Sequence, residues 1–217
     1  MSTTEVQPRL QFRLRGEWYP LVLPGQDPDM LRKKFVKSVG GSQDAYAAQR
    51  ALLSEQLRRA SDEAVRGEVE AMFVCAQLRS GVPMPINLTV IARPDLHMSP
   101  AIGVSSEAVL EILEKSFEVL QLDDLDSAVR VEGPDFLALR MHRTHVEERD
   151  IDGEIFYDRS LVADYWYTVP GTKNVLLVNF ITPMGDIPHI MLQFFDAIVK
   201  ASYFEIPEGD SSDPREE

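Results

Sequence analysis

The stretch that decides the fold is Tyr165–Phe204, YWYTVPGTKNVLLVNFITPMGDIPHIMLQFFDAIVKASYF. Within it, Pro170-Gly171 predicts a tight turn, because proline presets the first turn position and glycine accepts a positive φ at the next. The segment after the turn, residues 174–182, is apolar on both faces of a strand. This pattern predicts a strand in the middle of a sheet, covered on both sides or nearly so.

An amphipathic helix is predicted to follow and to begin near residues 186–188. Its apolar side chains recur at helical spacing and form one stripe. The stripe consists of Ile187, Ile190, Met191, Phe194, Ile198 and Val199. Such a stripe must be buried, and the strand before it is the obvious neighbour. We therefore expect this part of the chain to form a core and not a reaction centre.

A long two-stranded arm is predicted upstream of this region. Asp152-Gly153 lies between two strand-like segments within residues 145–170 and is the strongest hairpin signal in the chain. Residues 127–134 and 135–149 predict two strands joined by a short link. In the second of these, one face carries Leu137, Leu139 and Met141, and the other carries Ala138, Arg140 and His142. That alternation is typical of a sheet that is wet on one side.

The amino-terminal half is divided into elements by glycine and proline. Asp27 is the expected N-cap and Pro28 the first residue of a short helix that stops at Gly40-Gly41. The other predicted elements are a β-hairpin at residues 10–23 turning at Gly16, a long helix at residues 42–66 that includes Tyr46, strands at residues 70–79 and 86–93 separated by the link SGVPMP, and a helix at residues 105–117 capped by Ser105 or Ser106. The predicted fold is a single α+β domain at residues 1–204, with a mostly antiparallel twisted sheet flanked by helices. An acidic, disordered tail is expected at residues 205–217.

Charge and hydropathy exclude some classes of partner. The chain has 217 residues, with 22 basic and 35 acidic side chains and a net charge of −13. This charge repels polyanions, so we expect no nucleic-acid partner. The basic residues at 32–37 follow Asp27 and Asp29 on one predicted helix, which is typical of a solvated face. No apolar run approaches the roughly 20 residues that cross a bilayer, so we expect a soluble, cytoplasmic protein without membrane insertion.

Few residues suggest catalytic or metal chemistry. Cys75 lies in an apolar run, which predicts a buried, inert thiol. His142 and His145 are three residues apart and point to opposite faces of a strand, so a shared metal would need a bulge. The other two histidines are His97 and His189, and the position of His189 at the start of the last predicted helix favours a polar group of the cap region over a ligand. The sequence contains neither a phosphate-binding loop nor a nucleophile elbow, and we expect no catalytic residue, no metal and no cofactor.

The acidic run at residues 148–159, ERDIDGEIFYDR, requires a separate test for calcium binding. Asp150, Asp152 and Gly153 fall where a calcium-binding helix–loop–helix has ligands and its glycine. Counted from Glu148, however, the twelfth position holds Arg159, where a bidentate glutamate is needed. The flanking residues also have strand patterns, so the hairpin interpretation is favoured.

Aromatic residues give the remaining functional lead. Strand alternation places Tyr165 and Tyr167 on one face and Trp166 on the other, so at least one ring is a candidate for exposure. Trp18 raises the same question near the amino terminus. These four rings, Trp18, Tyr165, Trp166 and Tyr167, are the candidate partner-binding surface. The alternative, that helices cover them as part of the sheet, stays open.

The pattern of the chain from residue 10 to residue 204 resembles a group of uncharacterised actinobacterial proteins. The segments that carry the resemblance are FRLRGEWYPLVL, AMFVCAQL, PMPINLTV and above all WYTVPGTKNVLLVNFITP with FFDAIVKASYF. The carboxyl-terminal part also resembles the Mog1/PsbP-like α+β fold. That resemblance implies a sheet flanked by helices in proteins that act mainly by binding other proteins, from a small GTPase to a photosystem.

Two functions are therefore considered. The first is a non-catalytic protein-interaction or accessory module with an unidentified protein partner. The second is a small-ligand binder or an unrecognised enzyme with a pocket beside the sheet. Converging polar side chains with shifted pKa values would favour the second, whereas an exposed surface carrying Trp18 or Trp166 would favour the first.

Overall fold

A computed structural model of the chain describes residues 8–39, 47–78, 81–93, 96, 98 and 103–205. Several predicted features lie outside these residues. They are the helix stop at Gly40-Gly41, Tyr46, His97 and residues 206–217 of the predicted tail. Glu205, which was expected to begin that tail, is the last residue of a strand.

Within the described residues the chain forms nine strands and four helices. In order, they are β1 (Arg9–Gln11), β2 (Glu17–Val22), α1 (Pro28–Val39), α2 (Ala47–Arg66), β3 (Val69–Gln77), β4 (Pro83–Ala92), α3 (Ser106–Leu120), β5 (Val129–Glu132), β6 (Leu137–Ile151), β7 (Glu154–Thr168), β8 (Val175–Thr182), α4 (Pro188–Ala201) and β9 (Tyr203–Glu205). A short 3₁₀ turn at Leu125–Ser127 precedes β5. None of these helices is long and apolar enough to span a membrane.

Seven strands form one antiparallel sheet in the order β2-β3-β4-β8-β7-β6-β5. The prediction of an α+β fold with a mostly antiparallel sheet is confirmed. The central position predicted for β8 is also confirmed, since three strands lie on each side of it. The predicted turn before β8 is present: the N–H of Thr172 donates to the carbonyl oxygen of Val169 over 3.2 Å, and Gly171 has φ 69°.

Helix α4 covers one face of this sheet. Its Phe195 ring stacks on Phe180 of β8 with centroids 4.6 Å apart, and both rings are fully buried. Helices α1, α2 and α3 lie on the other face. Cross-strand partners share a face, and the row Met141, Asp164, Asn179, Thr89 and Met72 runs across the sheet from the α3 core cluster to the α1–α2 core cluster.

The buried stripe of α4 differs from the predicted one by part of a turn. Phe195 and Leu192 are buried, whereas the predicted members Phe194 and Ile190 are half-buried and exposed, respectively. The reason is the stack on Phe180, which selects Phe195 from two adjacent phenylalanines of equal hydrophobicity. Of the other predicted members, Met191, Ile198 and Val199 are buried as expected, whereas Ile187 is half-buried and precedes the first residue of the helix.

Two predictions about wet and covered sheet faces need correction. The face of β6 expected to be wet holds Ala138, which is fully buried under α4, and Arg140, which is nearly so. On β8, the face opposite α4 is covered only towards Val175, and Ile181 at the other end is 40% exposed. The first difference arises because α4 reaches over β6, and the second because the helices on the opposite face cover only part of β8.

The predicted amino-terminal hairpin is wrong. Strand β1 pairs with β9 in a separate two-stranded sheet, and β2 pairs with β3. Gly16, with φ 105°, passes so close to β3 that a Cβ would lie 2.7 Å from the carbonyl oxygen of Gln77. Glycine is therefore needed at position 16 because the backbone passes close to β3, and not because the chain makes a hairpin turn there.

Strand β4 begins earlier than expected. Pro83 and Pro85 were predicted to interrupt the structure, but β4 includes both, and Pro83 pairs with Gln77. Proline lacks the N–H that a central strand needs, and it is tolerated at the first residue of a strand. The helices α1 and α3 were predicted well: Asp27 Oδ1 accepts the N–H of Asp29, and Ser105 caps α3.

Truncation of Phe195 should be far more damaging than truncation of its neighbour Gln193. Phe195→Ala removes a buried ring and leaves a cavity over Phe180, so we expect the free energy of unfolding to fall by about 3–5 kcal/mol. Gln193→Ala, on the exposed side of α4, should change it by less than about 0.5 kcal/mol. Urea unfolding followed by circular dichroism measures both values. Equal effects would contradict the packing of α4 on β8.

Candidate functional site

The most prominent surface feature is a β-ribbon that extends beyond the sheet. Strand β5 pairs with β6 only as far as Arg140, and β8 pairs with β7 only from Leu161. Between these limits, no other strand of the described residues pairs with β6 or β7. We name residues 144–160 the arm. Its residues 144–150 and 152–159 are exposed.

A two-residue turn closes the arm, as the sequence predicted. Ile151 pairs with Glu154, and the two residues between them, Asp152 and Gly153, have φ 56° and 88°. The N–H of Gly153 donates to Oδ1 of Asp150 over 2.9 Å. Positive φ at both central positions matches the right-handed twist of the flanking strands. The hairpin interpretation of the acidic run is confirmed.

The arm exposes four large apolar side chains. Val146, Ile155, Phe156 and Tyr157 are each between 45% and 60% exposed. The register pairs Val146 with Arg159 and Glu148 with Tyr157, so Val146, Ile155 and Tyr157 share one face of the ribbon. Phe156 lies on the opposite face. Clustered exposed apolar groups of this kind mark interaction surfaces more often than isolated ones do.

The arm is also acidic. Residues 144–160 contain six carboxylates and only two guanidinium groups. Arg149 binds Glu147 and Asp158 at 3.2 and 2.8 Å. The four remaining carboxylates, on Glu148, Asp150, Asp152 and Glu154, form no ion pair within the described part of the chain.

We name the part of β6 and β7 from which the arm leaves the sheet the arm root. On the α4 side, an ion-paired cluster holds this root. Nη1 of Arg140 donates to Oδ2 of Asp196 over 2.6 Å, and the hydroxyl of Tyr165 donates to Oδ1 of the same carboxylate over 2.7 Å. Burial and the neighbouring Asp196 carboxylate raise the pKa of Tyr165 far above its usual range. The tyrosine therefore stays protonated at neutral pH and acts as a fixed donor from β7 to α4.

His142 lies two residues after Arg140 on the same face of β6 and extends this cluster. Burial, with a smaller contribution from the Arg140 guanidinium, lowers the pKa of His142, so the imidazole is neutral at pH 7. Its Nδ1 and Nε of Arg140 are buried and have no hydrogen-bond partner among the described residues. The backbone N–H of His142 donates to Oγ of Ser127 over 2.8 Å. The histidine is thus part of the arm root.

A second polar cluster holds the root on the opposite face. Nη1 of Arg143 donates to Oδ2 of Asp164 and of Asp124, over 2.9 and 3.0 Å. Nδ2 of Asn179 donates to Oδ1 of Asp164 over 2.6 Å. Sequence reasoning missed this cluster. The available signal was the single polar residue in each of two otherwise apolar strand segments, Asp164 and Asn179, which are paired across β7 and β8.

The loop before α4 supports the root from a third side. The N–H of Gly185 donates to the carbonyl oxygen of Arg159 over 3.1 Å. A Cβ at Gly185 would lie 2.8 Å from the backbone C and O atoms of Arg159. Only glycine allows this approach between the loop and the start of the arm.

The predicted aromatic surface needs correction. Tyr165 and Tyr167 are fully buried, and Trp166 is 8% exposed. Phe117 of α3 packs against Trp166 with centroids 5.0 Å apart, and Arg93 lies 5.3 Å over the indole. Trp18 is half-buried, and its indole N–H donates to the carbonyl oxygen of Arg15 over 3.0 Å. Tyr165, Trp166 and Tyr167 are therefore sheet residues covered by the layers on either side. Among the described residues, the exposed aromatic groups, Phe156 and Tyr157, are on the arm.

No metal or nucleophile centre emerges from the described residues. They contain no group of three or more histidine, cysteine and carboxylate side chains placed to bind a metal. His142 and His145 lie on opposite faces of β6, as alternation requires, and His189 lies in the first turn of α4. Burial raises the pKa of the Cys75 thiol to about 11, so the thiolate needed for nucleophilic attack is scarce at neutral pH.

An open depression lies between the start of α1 and the end of α2. Its lining contains charges of both signs, among them the ion pair of Arg58 with Asp62. Arg58 donates to both Glu55 and Asp62, and hydrogen bonds from Arg58 and Arg59 lower the pKa of Glu55 to about 2. Ion pairs three and four residues apart on one helix are typical of a solvated face, as the sequence indicated for α1.

A methyl group at Gly185 should loosen the arm root. Gly185→Ala forces the loop away from Arg159, so we expect the free energy of unfolding to fall by about 1–3 kcal/mol and proteolysis within the arm to become faster. Gly103→Ala is the matched control, since the nearest atom to its Cβ lies 3.9 Å away. Unfolding curves and limited proteolysis test both variants. An unchanged Gly185→Ala protein would contradict the close approach.

Cys75 should be unreactive in the native protein. At about pH 8 we expect a thiol-specific disulfide reagent to modify it at least about 100-fold more slowly than in the unfolded chain, because the thiol is buried and its pKa is about 11. Because the pKa of Cys75 is higher in the folded protein than its ordinary value of 9.0, the protonated thiol favours the folded state, and this contribution to stability is fully present below pH 9. That contribution is lost as the pH rises from about 9 to about 11, and Cys75→Ala should lack it. Rapid native modification would contradict this burial.

Comparison of the chain with protein-family models gave no match. Curated proteins and solved structures gave none either. The resemblance to an actinobacterial group and to the Mog1/PsbP-like fold therefore stays a prediction from the sequence.

Proposed function

We propose that the protein is a non-catalytic protein-interaction module and that the arm is its contact surface. The observation that carries this proposal is the position of the exposed apolar groups. Val146, Ile155 and Tyr157 share one face of a ribbon that leaves the sheet. Tyrosine is among the residues that contribute most to protein–protein affinity once water is excluded from them. The neighbouring Val146 and Ile155 extend its apolar surface into a patch, and such patches mark interaction sites.

The arm root supports this function because it fixes the direction of the ribbon. Asp196 binds Arg140 and Tyr165 on one face, and Asp164 binds Arg143 and Asn179 on the other. A ribbon clamped on both faces is ordered before it meets a partner. Less conformational entropy is then lost on association than with a mobile loop.

We also propose that the fold is of the Mog1/PsbP-like kind. The elements on which the resemblance rests support this: the Pro170-Gly171 turn, the central strand β8 and helix α4 packed against it. Such a fold fits a protein that binds other proteins, although a fold by itself does not determine a partner.

A small-ligand site is the second candidate. The strip of sheet formed by β4 and β8 carries Asn87, Thr89 and Asn179 on the face opposite α4, beside the half-buried carboxylate of Asp164. Ile181 in the same strip is 40% exposed. Hydroxyl, amide and carboxylate groups beside an apolar surface suit a small polar molecule.

Substitution of the arm's apolar face tests the first proposal. We expect the triple variant Val146→Ser, Ile155→Ser, Tyr157→Ser to weaken binding of a protein partner at least about 100-fold. Each substitution removes apolar area that the partner would bury in the complex. The matched control is Val119→Ser with Leu120→Ser, since both residues are exposed on α3. Partners purified from the source cells and then tested as pure proteins by calorimetry provide the measurement.

The result also separates the two candidates. If the arm variant keeps full affinity for every stoichiometric partner, the arm is not the contact surface. If native mass spectrometry instead shows a retained metabolite that Asp164→Asn releases, the strip on β4 and β8 is the functional site.

A further inference from the structure

Among the described residues, no strand neighbours the outer edge of β6 in the arm. Strand β5 pairs only with Leu137–Arg140, although β6 continues to Ile151. In the described part of the chain, the remaining outer edge is contacted by the hydroxyl of Ser127 at His142. An unpaired edge is a template for another strand.

The register shows which residues direct their backbone groups outward. The N–H of His142 donates to Oγ of Ser127, and its carbonyl oxygen accepts from the same hydroxyl, so His142 faces the outer edge. Backbone groups alternate between the two sides of a strand. The outward-facing residues of the arm are therefore Thr144, Val146, Glu148 and Asp150. The two-residue turn agrees, because Ile151 pairs directly with Glu154 and so faces β7.

The side chains beside this edge combine apolar surface with unpaired negative charge. Val146 lies on the edge strand and shares its face with Tyr157 and Ile155. Glu148 and Asp150 lie on the same strand and form no ion pair with any described residue. A strand added at this edge would meet apolar contacts at one point and carboxylates at the next.

We propose that the outer edge of β6 in the arm docks an extended, basic segment of a partner protein as an added β-strand. This inference rests on the proposed function and names the chemistry of the partner. Main-chain hydrogen bonds to Thr144, Val146, Glu148 and Asp150 supply the pairing, and lysine or arginine side chains reach the free carboxylates. An apolar residue of the segment packs on Val146.

Charge decides between a basic partner and a second copy of this chain. Two arms laid edge to edge would bring together two ribbons with six carboxylates each, in chains of net charge −13. Like charges directly opposite each other on paired strands are destabilising. The same carboxylates that oppose self-pairing favour a segment with alternating positive charges.

A pair of labelled peptides tests the proposal. The probe is a fluorescein-labelled peptide of about nine residues in which lysine alternates with valine and threonine, and the matched peptide has glutamate in place of lysine. By fluorescence anisotropy we expect the lysine peptide to bind at least about tenfold more tightly. Raising the salt from about 50 to about 300 mM should weaken its binding by about tenfold.

Two kinds of variant localise the binding. Val146→Pro removes an outward-facing N–H without removing a ladder bond to β7, and it should weaken binding of the lysine peptide by about tenfold. Glu148→Lys with Glu154→Lys should also weaken binding of the lysine peptide, because positive charges replace two carboxylates of the arm. The matched control, Glu107→Lys with Glu118→Lys on the exposed side of α3, should have little effect. The charge variants keep the test decisive if the proline variant fails to fold.

Amide hydrogen exchange reports the edge itself. On addition of the lysine peptide, the amide protons of Val146 and Glu148 should gain protection, whereas those of Glu147 and Arg149, which face β7, are protected in both states. Any one of four results would overturn the proposal. They are equal affinity for both peptides, no binding of the lysine peptide, protection of amides elsewhere in the protein, and protection that depends on protein concentration without peptide. If the peptide fails but the arm variant Val146→Ser, Ile155→Ser, Tyr157→Ser still loses its native partner, the proposed function stands and only the basic-strand inference falls.

Discussion

Contact between α4 and the central strand β8 is the interaction on which the rest of the structure depends. Phe195 stacks on Phe180, and around this pair the largest core cluster gathers residues from β3 to β9. Strand β8 pairs with β4 on one side and with β7 on the other, so it joins two three-stranded halves into one sheet. The apolar area buried by α4 therefore stabilises a strand that no other element can replace.

The arm is a consequence of how β6 and β7 outgrow that sheet. Both strands have 15 residues, while their outer neighbours β5 and β8 have 4 and 8. Ribbons of two strands are marginal alone in water. Here the root is fixed by two clusters in which a carboxylate holds partners from different elements, Asp196 from α4 and Asp164 from β7. Buried charges are retained without large cost only when they are paired in this way.

The sequence predicted the carboxyl-terminal half better than the amino-terminal part, for physical reasons. Local signals fix the Asp152-Gly153 and Pro170-Gly171 turns, since turn geometry depends on adjacent residues. The partner of β1 is set by a strand that comes almost 200 residues later, and no local pattern contains that information. The polar root clusters escaped prediction for the same reason. Asp164 and Asn179 are ordinary polar residues until the register of β7 and β8 brings them together.

The late position of β8 in the chain has a consequence for biosynthesis. During translation, β2, β3 and β4 on one side and β5, β6 and β7 on the other are complete before residues 175–182 leave the ribosome. Until then β4 and β7 each present an unpaired edge, the kind of surface that aggregates in partly folded chains. The nascent chain therefore carries two open sheet edges until its middle strand arrives, and a pause in translation at that point would prolong their exposure.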